Sequence, residues 1–116
     1  MKVIIAGGRN FRNYEQLCKV CDNILKDQTN IEIVSGAYYK GADKLGEKYA
    51  TEKGFPIKQF PADWKKFGRA AGPKRNEQMA NYADALIAFW DGKSRGTKHM
   101  IDLAKKEYLK VKLINF

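Results

Sequence analysis

At 116 residues, with 44% hydrophobic and 30% charged side chains, the chain is sized for one compact domain spanning 1–116 and is too apolar for a disordered segment. A formal charge of +9, from 22 Lys and Arg against 13 Asp and Glu, directs attention to anionic partners, phosphorylated small molecules first and nucleic acid second. Only the short apolar run Val3 to Ala6 follows Met1 and Lys2, so no signal peptide, no spanning helix and no membrane partner are expected, and the location expected is cytoplasmic.

Lys2 to Ala6 is a β-branched run ending at the pair Gly7-Gly8, the pattern of a strand buried on both faces. Tyr14, Leu17, Cys18, Cys21, Ile24 and Leu25 then repeat every three or four residues, which predicts a helix from Tyr14 to Leu25 with Asn13 as its cap. Both thiols fall on that apolar face, so Cys18 and Cys21 are read as reduced core residues rather than a redox or metal pair. Ile31 to Ser35 is the second strand. A loop through Gly36 and Gly41 leads to a helix marked by Ala42, Leu45, Tyr49 and Ala50 and ended by Gly54.

Pro56 to Phe60 predicts a third strand whose weaker apolar character suits a sheet edge, followed by an irregular segment through Gly72 and Pro73. A short helix starting at Pro73 places Met79, Ala80 and Ala83 on one face. Asp84 to Trp90 is the second strongly apolar strand, Thr97 to Tyr108 a fourth helix, and Val111 to Phe116 a closing strand. Alternating strands and helices require right-handed crossovers. The expected fold is therefore α/β: a three-layer, Rossmann-like domain with a mostly parallel five-stranded sheet and helices on both faces.

In such sheets the ligand sits beyond the carboxyl ends of the strands. Three turns there carry glycine with polar partners: Gly7, Gly8 and Arg9; Ser35 and Gly36 with Gly41, Ala42 and Asp43; and Asp91 and Gly92 with Ser94, Arg95, Gly96 and Thr97. Glycine lets backbone approach a ligand, and a helix start offers amides to an anion, which makes Gly96-Thr97 the best-placed phosphate cradle. Any one such turn is ordinary fold geometry; three at one edge favour a site. Neither G-x-G-x-x-G nor the G-x-x-x-x-G-K phosphate loop is present.

Arg69, Lys74, Arg75 and Asn76 surround Gly72 and Pro73 where a helix begins, and cations there oppose the macrodipole unless an anion joins them. Trp64 is expected to face the ligand or close over it, and Trp90 to finish the core. Tyr38 and Tyr39 are candidates to cover the crevice. Capping is the expected role of Asp43, while Asp63 and Asp91 divide evenly between turn formation and ligand contact. His99 has no partner at metal spacing and is read as an exposed helix position; no metal is expected.

The segments Gly7-Gly8-Arg9-x-Phe11, Ser35-Gly36 with Gly41-Ala42-Asp43, Ala62-Asp63-Trp64, Gly72-Pro73-Lys74-Arg75-Asn76, and Ala88 to Gly92 with Gly96-Thr97 resemble, in this order, the YspA/YpsA-related branch of the SLOG superfamily. The resemblance runs through nearly the whole chain. It implies a Rossmann-like domain that binds nucleotides or nucleotide-derived signals of the ADP-ribose or cyclic-nucleotide type, as sensor or ligand sponge in bacterial or phage systems. It also implies relatives among the cytokinin-activating phosphoribohydrolases and the DNA-processing proteins of transformation. In the phosphoribohydrolases a P-G-G-x-G-T-x-x-E loop supplies a catalytic Glu and another helix an Arg; Gly96-Thr97 and Arg75 match, but Met100 stands where the Glu belongs.

Loss of that carboxylate removes roughly 10²–10⁴-fold of rate, which places binding above catalysis. Asp63, Asp91 and Arg75 are the weak catalytic candidates for an N-glycosidic nucleotide hydrolase, and single-stranded nucleic-acid binding is the third reading. No cofactor is required in any of them. The partner expected is a small nucleotide ligand, with the oligomeric state, a homo-oligomer included, left open.

Overall fold

The computed structural model describes all 116 residues, as five strands and five α-helices in the order β1 (Lys2–Gly7), α1 (Tyr14–Leu25), β2 (Glu32–Ser35), α2 (Ala42–Lys53), β3 (Ile57–Gln59), α3 (Trp64–Phe67), α4 (Ala71–Tyr82), β4 (Ala85–Trp90), α5 (Arg95–Lys106) and β5 (Lys110–Asn115). All strand pairs are parallel, in the order β3-β2-β1-β4-β5. The α/β, Rossmann-like sheet expected from the sequence is the sheet observed. No helix is long and apolar enough to cross a membrane.

The period of two explains how short strands hold two layers together. Val3 and Ile5 of β1, with Ala85, Ile87 and Phe89 of β4, face one core with Leu17 and Cys21 of α1 and Tyr49 and Ala50 of α2. Ile4, Ala6, Leu86 and Ala88 face the other, with Met79 and Ala80 of α4 and Met100, Ile101 and Ala104 of α5. Each fully buried Ile, Leu or Phe contributes about 1.5–3 kcal/mol, so Ile4, Ile5, Leu86, Ile87 and Phe89 make the central pair β1–β4 a large contributor to stability. At the margins, β3 is exposed along its length and β5 mostly so, the edge placement that the weak apolarity of Ile57 to Gln59 predicts.

Local signals are met where the chemistry is simple. Asn13 Oδ1 accepts from Gln16 N at 3.0 Å and caps α1, and Gly54 ends α2 in the left-handed conformation with φ +74. Cys21 is buried and Cys18 half-buried on the apolar side of α1, both as free thiols, and burial pushes the Cys21 thiol up to about 12.

Two expectations need correction. The segment after Pro61 is not irregular: Asp63 Oδ1 caps the four-residue α3, and a 3₁₀ turn over Gly68–Ala70 joins it to α4. That makes α4 a full 12-residue helix starting at Ala71, two residues before Pro73, which sits inside its first turn where no donor is missed. Strand order reverses between β1 and β4, because the chain passes outward through β2 and β3 and returns on the other side. A crevice therefore opens at their carboxyl ends.

Candidate functional site

A cavity of about 460 Å³ occupies that crevice, within the size range of small-ligand sites. Its floor is Ala6, Gly7, Met79 and Met100; its walls are Gly36, Ala37 and Tyr38 after β2, Gly72, Pro73, Arg75 and Asn76 of α4, and Ser94 to Thr97 with His99 at the start of α5. The sheet thus brings together residues from every strand-end turn that the sequence singled out, though not all of each turn.

The first turn is mostly committed to the fold. Gly8 N donates to Phe89 O at 3.0 Å, and Gly8 O accepts from Phe11 N and Ala42 N, both at 3.2 Å. Phe11 stacks on Phe89 with ring centroids 4.5 Å apart and meets Phe116 edge-on at 5.0 Å, which pins the bend over the sheet. Gly41, at φ +76, has no room for a side chain: a Cβ there would lie 2.5 Å from Gly8 O and 2.6 Å from Arg9 Cα. Gly7 and Arg9 line the cavity, while Gly8, Gly41 and Ala42 support it from behind. Arg9 lies over the Tyr38 ring at 4.5 Å.

The second turn is tied by side chains. Ser35 is buried; its hydroxyl donates to Glu47 Oε2 at 2.6 Å and accepts from Ala37 N at 2.9 Å. Asp43 does not cap α2, whose cap position is Gly41; its Oδ2 instead accepts from Tyr38 N at 3.1 Å. Burial raises the Asp43 pKa, opposed by that amide and by the Arg75 charge. Asp43 is the single carboxylate lining the cavity.

Arg75 is the centre of the site. Its Nη1 donates to Gly36 O at 2.5 Å and its Nε to Asn76 Oδ1 at 3.0 Å. A Cβ on Gly36 would lie 2.5 Å from Arg75 Nη1 and 2.8 Å from Asp43 Oδ2, so glycine is what lets both side chains close on this bend. The guanidinium is held by neutral oxygens, and burial lowers its pKa, opposed by Asp43. Arg9, Lys40 and Arg95 also line the cavity, and none of the four cations joins an ion pair within 4.0 Å. Four cations against one carboxylate give the cleft an excess of positive charge, which favours anions electrostatically.

The start of α5 adds backbone donors. Asp91 Oδ1 accepts from Lys93 N and Ser94 N, both at 2.8 Å, which shapes the turn and holds its carboxyl below the usual range. Ser94 caps the helix, taking Thr97 N on its hydroxyl at 3.3 Å and Lys98 N on its carbonyl at 3.1 Å. Of the four amides that open a helix, those of Arg95 and Gly96 are left for a ligand. Thr97 is buried with its Oγ1 3.0 Å from Ser94 Oγ, and Gly92 shapes the preceding bend at φ +82.

Several candidates lie outside the cavity lining. Asp63 and Asp91 are exposed turn and cap residues, Trp90 is half-buried against the core with Nε1 donating to Ser94 O at 3.0 Å, and Arg69 is exposed on the 3₁₀ turn. Lys74 is exposed and covers Phe67 at 4.9 Å. Trp64 is 51% exposed and lines the mouth, with its ring edge over Gly72; Tyr39 is 72% exposed and packs on Tyr38 outside the cavity. His99 corrects the sequence reading: it is half-buried and lines the cavity, with Nδ1 3.1 Å from Asn76 Nδ2. Glu47, which holds Ser35 and Gln59 Nε2, was also missed; its one sequence signal is its position one turn beyond Asp43 on α2.

The model of one family, the YspA, cpYpsA-related SLOG family, matches residues 1–67, which hold the first two turns of the site. The chain belongs to the YspA, cpYpsA-related SLOG family. Membership implies nucleotide-related binding. Among curated proteins, this SLOG chain is 30% identical to the Gene 61 protein of Mycobacterium phage D29 over 122 residues, covering 99% of the chain and 95% of that relative. It is 42% identical over 43 residues to the uncharacterised SPbeta prophage-derived protein YoqJ of Bacillus subtilis, a stretch covering 37% of this chain and 25% of that one. No solved structure matches it significantly.

Proposed function

We propose that the cleft binds a phosphate-bearing nucleotide or nucleotide-derived signal, of the ADP-ribose or cyclic-nucleotide type, and that the protein acts in the cytoplasm as a sensor or sponge for it. The observation that carries this reading is Arg75: a partly buried guanidinium fixed by Gly36 O and Asn76, with no ion-pair partner, in a cavity that also receives the first amides of α5. A phosphate between Arg75 and the amides of Arg95 and Gly96 would meet charge and dipole together. Trp64 at the mouth offers a face for the base.

Binding without hydrolysis is favoured by Met100, buried on the cavity floor where the phosphoribohydrolases carry Glu. Titration calorimetry with AMP, ADP-ribose and a cyclic nucleotide tests the reading, with Arg75→Gln expected to weaken binding roughly tenfold or more. Unchanged affinity for all of them would remove Arg75 from the site. Asp43 favours a second reading, N-glycosidic hydrolysis, because it alone puts a carboxyl in the cavity and burial raises its pKa. Base released by the wild type and lost in Asp43→Asn would establish hydrolysis; a flat time course would dismiss it. Single-strand binding through many phosphates would instead show a steep fall of affinity with salt.

A further inference from the structure

Asn76 is 6% exposed and spends its whole amide on three neighbours. Oδ1 takes Arg75 Nε at 3.0 Å, and Nδ2 reaches Gly96 O at 3.4 Å and His99 Nδ1 at 3.1 Å. Two of these partners settle which way the amide points. Arg75 Nε can only donate, so the atom facing it is the oxygen; Gly96 O can only accept, so the atom facing it is the nitrogen. His99 Nδ1 therefore meets an N–H donor and must itself be an acceptor. The neutral ring then carries its proton on Nε2, which has no hydrogen-bond partner in the chain.

We infer that Asn76 is a positioning residue that makes Arg75 and His99 into joint donors to one unprotonated phosphate oxygen of the ligand, Arg75 through its guanidinium and His99 through Nε2–H. Arg75 and Asn76 stand on α4 and His99 on α5, so one buried amide sets the spacing of donors from both helices across the cavity that Arg75 and His99 line. An acceptor suits this pair; a protonated group such as a ligand hydroxyl would find no acceptor on either side chain. The inference rests on the nucleotide reading for its ligand and on the amide geometry alone for the tautomer.

His99 is the sole histidine of the chain, so long-range ¹H–¹⁵N spectra of its ring read the tautomer directly in ligand-free protein. At about pH 8.5, roughly two units above the ordinary histidine value, the wild type is expected to show Nε2–H with Nδ1 as acceptor. Asn76→Asp keeps the side-chain shape but offers only acceptors, so the ring should turn to the Nδ1–H form. Affinity for ADP-ribose and AMP should then fall about tenfold or more, the cost of a lost hydrogen bond to a charged group. His99→Gln, whose amide nitrogen can replace Nε2–H, should stay within about threefold of wild type while His99→Leu falls with Asn76→Asp.

A wild-type ring in the Nδ1–H form, or a tautomer unmoved by Asn76→Asp, overturns the relay even where affinity is intact. The expected tautomer with no nucleotide affinity in the wild type overturns the nucleotide reading and His99's donor role with it. Should Asn76→Asp fail to fold, equal affinities of His99→Gln and His99→Leu would overturn the inference by themselves.

Discussion

In the wall of the cleft formed by Ser35 to Tyr38, α4 and the start of α5, hydrogen bonds hold Arg75, Asn76 and Asp43 in place, whereas the rim from Trp64 to Ala70 contains no buried residue. Arg75 alone makes two anchoring bonds on the wall; Trp64, on the rim, is half in solvent. Charge recognition benefits from donors fixed in advance, since no ordering entropy is then lost on binding. Stacking on a base needs only a face and tolerates looser placement. On the proposed nucleotide reading, the phosphate would therefore sit on the wall and the base on the rim.

The wall breaks most completely at Gly41. Gly41→Ala combines a left-handed φ with backbone collisions against Gly8 and Arg9, and should cost about 3 kcal/mol of stability in urea unfolding. Next is Gly36→Ala, whose new Cβ meets the side-chain ends of Arg75 and Asp43 rather than backbone. It should displace the guanidinium and lower nucleotide affinity about tenfold to a hundredfold by calorimetry, with little change in melting temperature.

On the rim, Trp64→Ala should reduce affinity about fivefold, corresponding to about 1 kcal/mol of lost stacking, and leave stability unchanged because the ring is half-exposed. Equal losses of stability and affinity there would erase the distinction between wall and rim.

The smallest effect is pH-dependent and concerns Asp43. Burial raises its pKa above the ordinary value of 3.8, so the folded state holds the proton more tightly than the unfolded chain. Its contribution to stability is therefore full below the unfolded value and is lost as pH rises through the folded one. Asp43→Asn keeps an acceptor for Tyr38 N and removes this loss. Melting temperatures of the two proteins should diverge in favour of the variant as pH rises past the ordinary carboxylate value of 3.8, and the variant should bind anions at least as tightly.

The sheet was legible because Val3 to Ala6 and Ala85 to Trp90 are continuous apolar runs, too short for a helix and bounded by turn residues, the pattern of strands buried on both faces. Every strand or helix end stated from the sequence falls within two residues of the one observed, and the part left unread is α3 with the Gly68–Ala70 turn that leads into α4. The four-residue α3 has too few positions for any period to show. In the site, Arg75 and Asn76 were readable because cations at a helix start oppose the dipole. His99 was not: its place depends on α4 lying against α5, and nothing within Lys98 to Met100 announces that contact. The same holds for Asp43, whose acidic side chain at a helix start looks like a cap until Tyr38 N is seen bonded to it. Residues used by their own turn are visible in sequence; residues used across elements need the packing.

A crystal structure of the protein with ADP-ribose bound tests the central claim most directly. Phosphate oxygens should lie within hydrogen-bond distance of the Arg75 guanidinium and of the Arg95 or Gly96 amide. Nucleotide seated instead on the exposed lysines of α3 and α4, with the cleft between β1 and β4 empty, would contradict it.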